Sequence, residues 1–192
     1  MKKQLGQIPL LFPMPALLVG TFDDDGTPNA MCAAWSSICC QRPPCVGVAI
    51  RTSRLTYKNI VERRAFTLNV PTTGMAAEVD YLGTVSGKDE PEKVHTAGFE
   101  VVPGHKVDAP IIVDCPVNLE CVGRNKLDIG SHTWVIGEIM EVHVDEHLVD
   151  RQGKVDVTAL DPLIYCPSVR TYHGLGEQVG RAFHDGQVLV KK

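Results

Sequence analysis

Several familiar signatures are missing from this 192-residue chain, and each absence removes a class of function. No apolar run reaches the length needed to span a bilayer. No G-x-G-x-x-G follows a strand-like run, which argues against a dinucleotide-binding Rossmann unit, and the glycines of a P-loop are absent too. Basic residues are not in surplus. Nineteen Lys and Arg stand against 23 Asp and Glu, a formal charge of −4, so non-specific nucleic-acid binding is not expected. Seven cysteines are present, yet no pair has C-x-x-C spacing, and Cys39 and Cys40 are adjacent. An odd, irregular set of this kind suits neither a disulfide framework nor a zinc site, and it reads as small hydrophobes in a reducing compartment. The opening MKKQLGQIPLLFPMPALLVG imitates a signal peptide. Pro9, Pro13 and Pro15 interrupt its apolar stretch and no small-residue cleavage site follows, so the chain reads as cytoplasmic.

What is present is an ordinary globular composition, 44% hydrophobic and 22% charged, in a length suited to one domain. The chain is organised around residues 46–60, VGVAIRTSRLTYKNI. The first five are a short β-branched run behind Pro43-Pro44, the pattern of a buried strand. The character then switches. Arg51, Thr52, Ser53 and Arg54 are polar or cationic, and Leu55, Asn59, Ile60 and Arg63 follow at helical spacing, so a helix is predicted from Ser53 or Arg54. A helix start carries unpaired N–H groups and partial positive charge. Here it also gathers the hydroxyls of Thr52, Ser53 and Thr56 and the cations Arg51, Arg54 and Lys58, the last two about one turn apart. Two readings stand on these residues: an anion site, most simply for a phosphate, or a plain N-cap at Ser53 with solvated basic side chains.

The residues before and after predict mostly strands. ALLVGTF at 16–22 and AMCAAWSSICC at 30–40 flank a tight acidic turn and form a hairpin. Three consecutive aspartates in that turn lack the alternation of a calcium loop and are read as solvated. Small residues surround Trp35, so a flat group could approach the backbone beside Trp35, Ser36 and Ser37; tight core packing is the other reading. FTLNV at 66–70 is a further strand, 75–81 a short helix, 83–92 a mobile surface loop and 93–97 a helical turn. Residues 116–124 alternate Val117, Leu119 and Cys121 inward with Asn118 and Glu120 outward, and 132–144 alternate in the same way. Residues 147–154 read as a polar linker, and 161–167 as extended. Short strands without regular βα alternation predict a mainly β fold: an antiparallel split barrel of Greek-key-like topology with a few flanking helices. It forms a single domain over 1–192, with a C-terminal extension from about residue 150.

Three separated stretches, PNAMCAAWSSICCQRPPCVGVAIRTSRLTYKNI, FTLNVP and LECVGRNKLDIGSHTWVIGEIMEV, resemble the flavin reductase-like family with its FMN-binding split barrel, and flavoredoxins in particular. The resemblance implies a homodimer that holds FMN non-covalently near the subunit interface. It implies that Asn29, Ala30 and Met31 lie along the isoalloxazine edge, with main-chain groups meeting its polar atoms, and that Trp35, Ser36 and Ser37 line the flavin and ribityl chain. Arg51, Ser53, Arg54, Thr56 and Lys58 would hold the phosphate, and His132 would lie on the nicotinamide or flavin side. Ser131 stands where the family often has an acid, a departure that bears on His132. The flavin would carry the redox chemistry, which fits the absence of an acid–base dyad or activated nucleophile. Two functions follow: an NAD(P)H-dependent flavin reductase-like oxidoreductase, or an electron carrier that passes electrons between redox proteins.

Overall fold

The computed structural model describes residues 1–190. The β-branched runs become strands: β1 (Met14–Pro15), β2 (Leu17–Phe22), β3 (Pro28–Ala33), β4 (Ser36–Gln41) and β5 (Pro44–Ile50). The helix α1 (Leu55–Arg63) then leads into β6 (Ala65–Val70). Helices α2 (Ala76–Thr84) and α3 (Lys93–Thr96) precede a small hairpin, β7 (Val101–Pro103) and β8 (Pro110–Ile112). Two long strands, β9 (Val117–Asp128) and β10 (Thr133–Val144), complete the main sheet. Last come α4 (Val157–Leu160), β11 (Ile164–Cys166) and β12 (Thr171–His173). No described helix is long and apolar enough to cross a membrane.

Seven strands form one antiparallel sheet in the order β3-β2-β6-β9-β10-β5-β4. The strands β6, β9 and β10 run as a meander, and β5 lies beside β10 rather than beside β6. The helix α1 makes the long crossing that this Greek-key arrangement needs. The two edges of the sheet, β3 and β4, are consecutive in the chain. They are joined through Ala34 and Trp35 and are not paired to each other, so the barrel is split at that point. The predicted single strand over 30–40 is therefore two. The break is local: the Ser36 N–H donates to Ala34 O (3.1 Å), and the Ala49 N–H donates to Trp35 O (2.9 Å).

Side chains alternate across each strand, which separates two cores. Val19, Val48, Ile50, Phe66, Leu68, Cys121 and Val135 fill the barrel, and Ile60 of α1 packs with them. Leu18 and Ala30 point the other way and pack with Val79 and Leu82 of α2, Val94 of α3, and Ile112 of β8. Between barrel and cover lies a buried polar layer. The Asn69 Nδ2 donates to Leu18 O (3.0 Å), while Asn69 Oδ1 accepts from the Ile112 N–H (3.1 Å) and Asn118 Nδ2 (2.9 Å). The Thr67 hydroxyl donates to Pro110 O (2.6 Å). Gly20 permits this approach, since a Cβ there would lie 2.4 Å from Thr67 Oγ1 and 2.8 Å from Pro110 O. Asn118 and Glu120, expected outward, are thus buried beneath the β7–β8 segment, because β9 is covered on both faces.

Residues 88–92 are exposed, and the Lys93 that follows them is buried: its Nζ donates to Leu82 O (3.2 Å) and Val85 O (2.9 Å). These carbonyls lie at the C-terminal end of α2, where a cation is favoured by the helix dipole. The C-terminal extension also returns to the body. Strand β11 pairs with β1 on one side and β12 on the other. The supposed linker buries Leu148.

Candidate functional site

Because β3 and β4 separate at Ala34-Trp35, the seam opens a cleft of about 350 Å³. Its floor is small: Ala33, Ala34 and Ala49, with Met31 and Cys32 beside them. One wall is the strand-to-helix turn carrying Arg51 and Arg54, with Trp35 and His132. The other comes from α2, through Asp80, Gly83 and Thr84, and from the returning C-terminal segment, through Tyr165, Arg170 and Tyr172.

The turn forms as the sequence pattern requires. The Arg54 N–H donates to Arg51 O (3.0 Å), and Arg54 occupies the N-cap position. Its side chain makes no capping hydrogen bond, so the Ser53 cap is not formed and the first-turn N–H groups of α1 lack a side-chain partner. Among the described residues, Arg51, Arg54 and Arg170 have no carboxylate partner; Arg54 Nη2 reaches only the Gly83 carbonyl (3.4 Å). The single acidic group of the cleft, Asp80, accepts a hydrogen bond from the Tyr172 hydroxyl (3.1 Å). A chain of net charge −4 therefore concentrates three guanidinium groups in one recess. An anion entering it would gain charge-assisted bonds without displacing an existing ion pair.

The aromatic wall is set by packing. The rings of Trp35 and His132 lie 4.8 Å apart at 39°, and Ser131 Oγ sits 2.9 Å from His132 Nδ1. Burial, and then the positive charge of Arg51, hold His132 below the ordinary imidazole range. Burial pushes the Cys32 thiol up to about 11, which makes it a poor nucleophile, and pushes the Tyr172 phenol up as well. Burial and the nearby Arg54 charge lower Lys93 to about 8.

Of the residues singled out from sequence, Met31, Trp35, Arg51, Arg54 and His132 meet in this cleft. The side chains of the others point elsewhere. Asn29 is buried behind the turn: its Nδ2 donates to Thr56 Oγ1 (2.9 Å) and Thr21 Oγ1 (3.3 Å), so Asn29 and Thr56 tie β3 to the start of α1. Ala30 packs in the outer core. Ser36 is half-buried beside Trp35, with a hydroxyl oxygen that meets no partner, and Ser37 is exposed. Ser53 is exposed, and its carbonyl accepts from Lys88 Nζ (3.0 Å). Lys58 turns away from the cleft to Asp24 (2.7 Å) and Glu62 (3.6 Å). The aspartates read as a solvated turn are what draw it off. Sequence reasoning missed Asp80, Tyr165, Arg170 and Tyr172. Only their arrival from α2 and the C-terminal strands brings them here, and no local pattern announces that.

The chain matches the model of the flavin reductase like domain over residues 10–175. Its structure superposes on flavoredoxin of Desulfovibrio vulgaris (Miyazaki F) with a TM-score of 0.92 and 41% identity, covering 97% of this chain and all of that one. Flavoredoxin from Methanosarcina acetivorans gives a TM-score of 0.90 and 31% identity over 99% of this chain and all of that one. An uncharacterized protein of Pyrococcus abyssi is 35% identical over 131 residues, 68% of this chain and 74% of its own length.

The His132 environment makes a measurable claim. In an NMR titration its ring should stay neutral at pH 7 with a midpoint below the ordinary 6.5, and Arg51→Ala should move the midpoint upward. A midpoint at or above the ordinary value in the unaltered protein would contradict the geometry.

Proposed function

The chain belongs to the flavin reductase-like family, and from that premise we propose that it binds FMN in the cleft at the seam and acts in electron transfer as a flavin reductase-like oxidoreductase. One observation carries the reading: three guanidiniums with no carboxylate partner among the described residues, beside the uncapped N-terminus of α1, adjoin a floor of alanines next to Trp35. The phosphate of FMN is largely dianionic at neutral pH. Arg51, Arg54 and the first-turn N–H groups would hold it. Ala33, Ala34 and Ala49 leave room for a planar ring against the backbone, with Trp35 beside it, and the unpartnered Ser36 hydroxyl is available to a polar group of the ligand. When bound, the flavin supplies the electron-carrying chemistry. The protein's residues orient it, and the neutral His132 keeps a further positive charge away from the opening.

The donor on this reading is NAD(P)H. A second reading, an electron carrier between redox proteins, is favoured by the likeness to flavoredoxins across nearly the whole chain. We also infer a homodimer. Residues 1–13 and 174–190 lie exposed and carry large apolar side chains, including Phe12, Leu11 and Phe183, and Ile38, Leu127 and Ile129 add to this apolar surface. Exposed apolar area of this extent is expected to be covered by a partner, and a second copy is the simplest one. Seven free thiols support a reducing, cytoplasmic setting.

Arg54→Ala should weaken FMN binding by about 1.5–3 kcal/mol, the range for a charged hydrogen bond, and leave riboflavin binding nearly unchanged. Lys58→Ala should leave both unchanged, because Lys58 is held by Asp24. Equal losses for FMN and riboflavin would show that no phosphate is gripped there. Anaerobic mixing of FMN-loaded protein with NADH and NADPH should bleach the flavin if the protein is a reductase. Flavin that stays oxidised with both would assign it as a carrier. Light scattering should give twice the chain mass; a one-chain mass with flavin bound would reject the dimer.

A further inference from the structure

Away from the cleft, the outer face of β9 and β10 holds a cluster that electron transfer does not use. His105, Glu120 and His143 bring one ligand atom each within 4.8 Å of one another, the one such group of three among the described residues. Glu120 is fully buried. Its Oε2 accepts from the backbone N–H of Lys106 (2.6 Å) and of Val107 (3.0 Å), and its Oε1 lies 2.6 Å from His143 Nε2. The turn wraps the carboxylate closely at Gly104, where a Cβ would come within 2.7 Å of Glu120 Oε2. The ring of His105 stands edge-on to that of His143, centroids 5.0 Å apart.

We propose that His105, Glu120 and His143 bind a divalent transition-metal ion, with Zn²⁺ as the natural occupant. Two imidazoles and a carboxylate are a usual borderline-soft donor set, and three protein ligands leave a fourth position for water. Zinc–nitrogen and zinc–oxygen bonds of about 2.0–2.1 Å put tetrahedral donor atoms about 3.3 Å apart. The observed spacings suit that value: no pair is more than 4.8 Å apart. Glu120 and His143, at 2.6 Å, must part slightly, and His105 is exposed on its turn and can adjust with them. The carboxylate itself is already oriented by two backbone donors on its other oxygen, the outer support that metal-ligating carboxylates require. A cation beside a buried carboxylate stabilises its charge further, and a metal ion would supply one. Bound there, the ion would staple the turn at 104–108 to β9 and β10.

Isothermal calorimetry of untagged, FMN-loaded protein with Zn²⁺ tests this. One site per chain is expected, unchanged in the Cys39→Ser, Cys40→Ser double variant, and weakened at least tenfold in His105→Ala, whose side chain is exposed. His143→Ala gives an independent reading with the same expected loss. Absence of a site in the unaltered protein, an affinity in either histidine variant unchanged from that of the unaltered protein, or loss of the site in the cysteine variant would each overturn the assignment.

Discussion

A sheet that curls almost closed but is joined at its seam by covalent chain instead of hydrogen bonds is the constraint on which this structure depends. β3 and β4 are neighbours in sequence and are the two edges of the sheet. Unpaired edges expose donors and acceptors that must be satisfied by something else. Here Ala34 and Trp35 turn locally, and the Trp35 carbonyl is taken up by β5. The result is an opening floored by small side chains, placed directly beside the turn from β5 into α1. Helix α2 and the returning strands β11 and β12 then become the walls of a recess.

Electrostatics follows from the same placement. Asp80 is the acidic residue lining the recess, and among the described residues the three arginines that line it form no salt bridge. Lys58 shows how the partition is made. It sits one turn along α1 from Arg54, yet Asp24 on the β2–β3 turn is close enough to claim it. Arg63, on the same helix, is claimed by Asp108. Among the described residues Arg51, Arg54 and Arg170 remain without a carboxylate partner. Beneath them, Asn29, Thr21, Thr56 and Asn59 form a buried hydrogen-bonded platform that fixes the start of α1 against the barrel. The polar residues of this platform position the turn without lining the cleft.

Much of the fold was legible because strand and helix periods are local. The β5-to-α1 switch, the opening hairpin and the two long strands can be read from alternation and turn chemistry alone. What could not be read depends on coverage from distant parts of the chain. Glu120 alternates like a solvent-facing residue, and nothing near it in sequence says that the turn at 104–108 will fold over it. Asn29 and Ala30 lie in a stretch that carries a family resemblance, yet their side chains point away from the opening. Tyr165, Arg170 and Tyr172 belong to a segment with weak patterning, and they reach the site only because β11 pairs with β1, some 150 residues earlier. Within the site, the cations were visible as a cluster, but which of them would be neutralised by neighbours was a tertiary question.

The most direct test of the account is a crystal structure of the protein with FMN bound. The account predicts the phosphate at the N-terminus of α1, within hydrogen-bond distance of Arg51 or Arg54, and the ring against Ala34 and Trp35 with Lys58 still on Asp24. A phosphate held by Lys58, or a flavin seated anywhere other than the β3–β4 seam, would contradict it.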